Sequence, residues 1–135
     1  MKTSATLTGI LLFSGMASAQ VDILTARQAP ISSTVTVRGV VINGSELGSI
    51  RYIQDSTAGI ALYGNNLNSV NRGDSIVATG TLTDYNNLLE VQPVSSFSVF
   101  TSANPTPTPH LITPSQMGEA FEGQLVQVDL AIFAN

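Results

Sequence analysis

The sequence has no cysteine and no tryptophan, a single histidine, and a single lysine, Lys2. Without cysteine the chain cannot form a disulfide, act through a thiolate or bind zinc through sulfur. It also lacks a Gly-x-Ser-x-Gly elbow, a Walker phosphate loop and a histidine-rich metal motif. These absences predict no catalytic residue, no metal site and no cofactor within this chain.

The few residues capable of acid–base chemistry stand at positions that suit structural roles. Asp55, Asp74 and Asp84 lie at turns or strand starts, where a carboxylate ordinarily accepts backbone N–H groups. His110 lies among prolines, which favours a solvated linker residue over a general base. The sequence therefore predicts that this chain is not itself an enzyme.

Positive charge is scarce, with 5 basic residues against 9 acidic ones and a net charge of −4. Strong nonspecific binding to nucleic acid depends largely on lysine and arginine side chains that neutralise phosphates. We therefore expect any binding of nucleic acid by this chain to be weak.

Residues 1–19 have the order of a secretory signal peptide. Lys2 gives a positive start, residues 7–16 are apolar, and Ala17-Ser18-Ala19 is a small-x-small cleavage site. We predict cleavage before Gln20 and a secreted, periplasmic or cell-surface protein with four arginines, nine acidic residues and thus a charge of −5. A membrane-spanning helix needs about twenty apolar residues, and no segment after residue 19 approaches that length, so no membrane span is expected once the signal is removed. The alternative for the signal-like segment is a buried N-terminal helix.

Five segments have the alternation and the β-branched composition of strands. Glycines at 39 and 80 mark points where long strands bend, and the stretch 65–71 suits one helical turn that caps a barrel. The last strand is expected to extend through Phe97, Val99 and Phe100. The predicted strands are residues 34–42, 49–54, 59–63, 74–83 and 88–94.

The composition changes after residue 102. Prolines at every second position favour an extended linker over residues 103–110, and Thr113, Pro114 and Gln116 predict the start of a short helix. Residues 124–133 have the pattern of one more strand. We predict a barrel domain over 20–102 and, over 111–135, the start of a second, incomplete β module whose remainder is missing from this chain. The alternative is that the last strand joins the barrel as a sixth strand.

Two stretches carry a family resemblance: residues 51–63, RYIQDSTAGIALY, and residues 72–82, RGDSIVATGTL. They resemble the OB-fold domains of bacterial secreted and cell-surface proteins, over about residues 25–100. Such domains often stand next to endonuclease/exonuclease/phosphatase domains or to lamin-tail or sorting modules. The resemblance implies an all-β fold: a five-stranded OB-type Greek-key barrel with a short capping helical turn, followed here by a short helix and a strand at the C-terminus.

An OB barrel binds its ligands on the face of its second and third strands, between the loops after its first and fourth strands. Aromatic side chains there stack bases or sugars, and arginine adds a phosphate contact or a cation–π contact. Tyr52 and Ile53 face opposite ways, so a core position for Ile53 puts Tyr52 outside. The alternative is that some tyrosines belong to the barrel core or rim. The predicted ligand contacts are Arg51, Tyr52, Tyr63 and Tyr85.

Two functions remain open from the sequence. The first is a non-catalytic binding or targeting module that holds single-stranded nucleic acid or oligosaccharide, weakly, beside a hydrolase domain absent here. The second is a structural spacer or protein-interaction module of a surface protein, without a small ligand. The negative charge and the loss of the only lysine favour the second. A continuous cationic groove through Arg38, Arg51 and Arg72 would argue against it.

Overall fold

The computed structural model describes residues 19–129. The predicted signal peptide, apart from its last residue, and the end of the last predicted strand lie outside the described residues. No helix in the described range is both long enough and apolar enough to cross a membrane. The helix and strands are β1 Gln20–Val21, α1 Ile23–Arg27, β2 Thr34–Val41, β3 Ile50–Gln54, β4 Gly59–Tyr63, β5 Ser75–Tyr85, β6 Leu88–Thr101, β7 His110–Ile112 and β8 Val126–Val128.

Strands β2 to β6 form a closed barrel, which confirms the predicted OB-type fold. Their order is β2-β3-β4-β6-β5, and β5 pairs back with β2 to close the sheet. All neighbours are antiparallel except β4 and β6, which run parallel with Ala61 opposite Glu90. The pairing of β5 with β6 shifts register on both sides of Gly80, where the sequence predicts a bend. Closure leaves the five strands without a free edge at the barrel.

The core is built from the inward positions of the alternating strands. Val35 and Val37 of β2 and Ile53 of β3 are buried, as the period-2 pattern predicts. The single-turn 3-10 helix Asn65–Ser69 contributes Leu67, and Val70 follows it, so this segment caps the core as expected. Each such aliphatic side chain contributes about 1.5–3 kcal/mol when it leaves water.

Helix α1 closes a further part of the core. Ile23 and Ala26 are buried, and Asp22 caps the helix by accepting the backbone N–H of Thr25 at 2.7 Å. In the sequence, residues 26–30 predict only a helical turn stopped by Pro30, so the helix begins three residues earlier than that pattern predicts. The missed signal is Asp22, a favoured N-cap residue immediately before the apolar Ile23.

We call residues 110–129 the tail. Its strands β7 and β8 pair with each other in parallel, with His110 opposite Val126. The predicted helix start is a 3-10 turn over Pro114–Gln116, and the backbone N–H of Thr113 donates to the Gln116 side chain at 2.8 Å. Within the described residues β8 therefore pairs inside the tail rather than with the barrel, and the division of the chain into domains stays a prediction.

Candidate ligand-binding cleft

A cleft of about 330 Å³ opens on the outer surface of the barrel. It lies between the segment that joins β2 to β3, which contributes Leu47, and the turn between β5 and β6, which Tyr85 and Leu88 flank. This is the position at which OB folds bind their ligands. We call it the tyrosine cleft; its lining residues are Leu47, Ile50, Tyr63, Tyr85, Leu88, Glu90 and Gln92.

Strand alternation and a tight turn place the two tyrosines at the rim. Leu62 of β4 is in the core, so its neighbour Tyr63 faces outward and is 42% exposed. Tyr85 is 58% exposed and pairs with Leu88 across a two-residue turn. Both turn asparagines have positive φ, as the hairpin turn that fits two twisted strands requires. The structure therefore brings Tyr63 and Tyr85 to one cleft, although 22 positions separate them in the chain.

Arg51 does not lie at this surface. Its side chain is fully buried, on the same side of β3 as Ile53 and opposite Tyr52. Its Nε donates to the carbonyl of Val70 at 2.9 Å and its Nη1 to the carbonyl of Gly48 at 2.7 Å, while Nη2 finds no partner among residues 19–129. The predicted outer-face position of Arg51 is wrong, and the alternation that places Tyr52 outside already points Arg51 inward.

Tyr52 faces outward but does not line the cleft. It is half-buried, and burial raises the pKa of its hydroxyl, with further contributions from the carboxylates of Glu122 and Glu90. The proximity of Glu122 shows that the tail reaches this part of the barrel. The predicted contacts thus divide into three places: Tyr63 and Tyr85 at the cleft, Tyr52 beside the tail, and Arg51 in the interior.

The tail covers the end of the β3–β4 face that lies away from the cleft. The side-chain oxygen of Gln54 accepts the backbone N–H of Leu125 at 2.8 Å. Gly59 and Gly123 meet backbone to backbone, and a Cβ on Gly59 would clash with the carbonyl group of Gly123. Gly123 has a φ of 73°, in the left-handed region that favours glycine. Two glycines therefore allow the tail to lie against the sheet.

An ion pair holds the same part of the tail. Arg27 donates through Nη2 to the Glu122 carboxylate at 2.8 Å and through Nη1 to the carbonyl of Gly59 at 3.1 Å. The two paired side chains are only 13% and 17% exposed, so solvent screens this pair less than an exposed one. A ligand on the outer face therefore meets the tyrosine cleft at one end and the tail at the other.

Glu90 is a feature of the cleft that sequence analysis does not identify. It is 3% exposed, whereas the tyrosines at the rim are largely exposed, so its side chain lies at the bottom of the cleft. Its outward direction follows from Val91, which is in the core, and from Leu88 and Gln92, which line the same cleft. Burial raises the pKa of its carboxyl group. The available signal is a lone carboxylate inside the apolar strand LLEVQPV.

The arginines of the described residues do not form a continuous groove. The Arg38 guanidinium stacks at 4.0 Å over the ring of Phe100 and lines a separate cavity of about 520 Å³. Arg72 pairs with Glu46 at 2.8 Å in an exposed salt bridge, Arg51 is buried, and the fourth arginine holds the tail. None of the four lines the tyrosine cleft. A ligand there finds aromatic rings and a carboxylate, and finds no cation.

The aspartates of the turns have the structural roles that the sequence predicts. Asp55 accepts backbone N–H groups of Ile23 at 2.8 Å and Thr57 at 2.7 Å. Burial acts to raise its pKa, but these hydrogen bonds outweigh burial and leave that pKa below its usual range. Asp74 and Asp84 likewise each accept a backbone N–H. Between residues 19 and 129 no three carboxylate or histidine side chains gather closely enough to hold a metal ion.

Comparison with known proteins gives similarity at the level of fold and one weak relative in sequence. The chain is 29% identical to Endonuclease YhcR of Bacillus subtilis (strain 168) in an alignment that is 127 residues long with its gaps and that covers 83% of this chain and 10% of that protein. The chain therefore spans about a tenth of the length of this relative. No protein-family model matches the chain.

Several solved structures resemble the chain in fold. The hypothetical protein ygiW from E. coli superposes with a TM-score of 0.51 at 17% identity, over 64% of this chain and 99% of that one. Asparaginyl-tRNA synthetase from Pyrococcus horikoshii superposes with a TM-score of 0.50 at 18% identity, over 66% of this chain and 24% of that one. At such identities the likeness shows the fold alone, and it agrees with the OB-type barrel described above.

Proposed function

We propose that this chain is a non-catalytic module that holds single-stranded nucleic acid in the tyrosine cleft, as part of a larger exported nuclease. The observation that carries the proposal is the pair of exposed rings, Tyr63 and Tyr85, on a cleft at the position where OB folds bind. The similarity to a protein named an endonuclease supports nucleic acid over oligosaccharide as the ligand. Export rests on the signal-like order of residues 1–19.

Stacking is the interaction that this cleft offers. A base on an aromatic side chain gains about 1–3 kcal/mol, and every base has a π-face to present. Two tyrosines therefore supply about 2–6 kcal/mol, and the cost of ordering the ligand reduces this to a dissociation constant of about a millimolar or weaker. Phosphates stay in solvent, because no arginine lines the cleft. The module binds weakly and positions a strand for a neighbouring catalytic domain.

The test uses the tyrosines themselves as probes. The chain has 3 tyrosines and no tryptophan, so its intrinsic fluorescence reports on the site directly. Short oligothymidine should quench this fluorescence, and Tyr63→Ala or Tyr85→Ala should weaken binding about tenfold, the equivalent of one lost stack. Tyr52→Ala is the matched control, because Tyr52 does not line the cleft. Binding of an oligosaccharide in place of DNA, with the same dependence on Tyr63, would move the ligand to the glycan class.

A second candidate function is a protein-interaction module. It is favoured by the tail, where Met117 is 63% exposed and lines a groove of about 320 Å³ with Ile112, Phe121 and Val126, and where Leu111 is 66% exposed. Two results together would make this second function the correct one. Neither DNA nor oligosaccharide binds the chain, and Leu111→Ser, unlike the changes at the tyrosines, abolishes binding to the rest of the protein.

A further inference from the structure

The carboxylate of Glu90 stands apart from the other buried polar side chains of the described residues. Each of those others has a hydrogen bond: the Asn43 amide with the Tyr52 backbone at 2.6 Å, for example, and Gln54 with the tail at 2.8 Å. Glu90 is 3% exposed and has neither a hydrogen bond nor an ion pair with any residue between 19 and 129, and its carboxylate keeps only slight contact with the solvent of the cleft. The buried polar side chains that do have partners are Thr36, Asn43, Arg51, Gln54, Asp74 and Ser75.

The fold does not require a carboxylate at this position. Glu90 lies opposite Ala61 on β4 and Thr83 on β5, and neither side chain bonds to it. Burial of a charge without a partner is unfavourable, and an apolar residue would suit a site beside Leu88 better. The Glu90 carboxylate lies at the bottom of a cleft with aromatic walls, and the barrel supplies no hydrogen-bond donor to it. A ligand in the cleft would supply that donor.

We infer that Glu90 is the specificity-determining residue of the tyrosine cleft, where it accepts hydrogen bonds from the Watson–Crick edge of a stacked base and favours guanine. The inference rests on the proposed function, since it requires a base in the cleft. A carboxylate only accepts, so the ligand must donate, and a phosphate is repelled. Guanine presents two adjacent donors, N1–H and the N2 amino group, which match the two carboxylate oxygens.

The other bases match less well. Adenine and cytosine each offer one amino group to the carboxylate. Thymine and uracil offer a single N–H between two carbonyl oxygens, and those oxygens would face the negative charge. The expected order of affinity is therefore guanine first, adenine and cytosine next, and thymine last. Hypoxanthine, which keeps N1–H and lacks the N2 amino group, is the matched probe for the second hydrogen bond.

The experiment titrates the exported chain with three pentanucleotides that are thymine at every position except the centre, which is guanine, hypoxanthine or thymine. Tyrosine fluorescence gives the affinities. For the natural chain, guanine should bind about tenfold more tightly than thymine, with hypoxanthine between them, as a bidentate contact to a base provides. In Glu90→Gln the preference for guanine should fall to about twofold or less, with thymine affinity unchanged or higher.

The outcomes separate this inference from the proposed function. Equal affinity for the three central bases, or a guanine preference that survives in Glu90→Gln, overturns the inference while Tyr63-dependent binding still supports the proposed function. No binding of any pentanucleotide overturns both. A Glu90→Gln chain that fails to fold by circular dichroism also overturns the inference, because Glu90 would then serve the barrel. Preferential binding of an oligosaccharide through Glu90 would replace guanine as the ligand.

Discussion

At the scale of single residues, we expect Glu90 to favour ligand binding and to lower the stability of the fold. Glu90 is only 3% exposed and its carboxylate has no partner among the described residues, so it keeps little contact with water, and leucine would place an apolar side chain of similar size beside Leu88. We expect Glu90→Leu to raise the free energy of unfolding at pH 7 by about 1–2 kcal/mol, because it removes a charge that folding strips of most of its water without giving it a partner. Urea denaturation of the two chains measures this difference.

The effect of Glu90 on the free energy of unfolding should depend on pH. Burial raises the pKa of this carboxyl group in the folded state above its unfolded value, so the folded chain holds the proton more tightly. The stability that the proton provides is present at low pH and is lost as pH rises through the folded pKa. The gain from Glu90→Leu should therefore be small near pH 4 and largest at pH 7 and above. A gain that is independent of pH would contradict an ionised, unpaired Glu90.

Arg51 is expected to act on stability alone. Removal of its side chain leaves a cavity and deprives the carbonyls of Val70 and Gly48 of their donor. We expect Arg51→Ala to lower the free energy of unfolding by about 2–4 kcal/mol. Arg38→Ala is the control, since an exposed stack on Phe100 contributes about 1 kcal/mol or less. If Arg51→Ala and Arg38→Ala lower the stability measured by thermal unfolding equally, Arg51 does not stabilise the barrel through its internal hydrogen bonds.

At the scale of elements, the contact between the tail and β4 depends on the absence of a side chain at Gly59. Gly59→Ala would direct a methyl group into the Gly123 carbonyl, so we expect it to release the tail from the barrel. The backbone N–H of Leu125 would then lose its bond to Gln54 and should exchange with solvent at least about tenfold faster. Ligand binding should not change, because the cleft lining does not include residues 122–125.

Gly118 provides the matched control for this release. A Cβ at Gly118 meets no atom within 4 Å, and its φ of 169° is ordinary extended backbone. Gly118→Ala should therefore leave the exchange of the Leu125 amide unchanged. If both glycine changes accelerate exchange equally, the tail responds to its own conformation and not to the contact with β4.

The strands are the part of the structure that the sequence predicts well. Segments such as 34–42 and 74–83 combine β-branched residues with period-2 alternation, and turn residues separate them from the next strand. These signals are local, so they do not depend on which strands pair. The predicted extension of the last strand is also confirmed, since β6 runs to Thr101 without interruption. Resemblance to a known barrel then supplies the pairing order that local patterns leave open.

The cleft could be predicted only in part, for two different reasons. The spacing of Arg51 to Ile53 predicts that Arg51 points inward. Charged residues are usually exposed, however, and this general rule favours the opposite direction. The burial of Glu90 cannot be predicted from the local sequence, because it depends on neighbours from β4 and β5 that are distant in the chain. The contact of residues 122–125 with the barrel likewise depends on backbone packing at Gly59, which no local pattern encodes.

At the scale of the whole molecule, the barrel contains its own core. The hydrophobic cluster of buried residues extends from Ile23 to Val94 and includes none from the tail. A chain of residues 20–102 should therefore unfold cooperatively, with a melting temperature lower by no more than about 8 °C, since the tail adds about 1 kcal/mol through its ion pair and hydrogen bonds. Calorimetry of the two lengths measures this. A larger fall would mean that the tail is part of the barrel domain.

The distribution of charge over the molecule predicts how binding responds to salt. Affinity for a single strand falls with salt by about 0.7 log units per log unit for each phosphate that a cation neutralises. The cleft has no cation, and the predicted mature chain carries four arginines against nine acidic residues. We expect the affinity for oligothymidine to stay constant or to rise slightly between about 50 and 200 mM salt, because salt screens the repulsion between chain and strand. Titrations at four salt concentrations test this, with Arg38→Ala as a control that should show the same slope. A tenfold loss of affinity over that range would mean that phosphates are held by arginines outside the cleft.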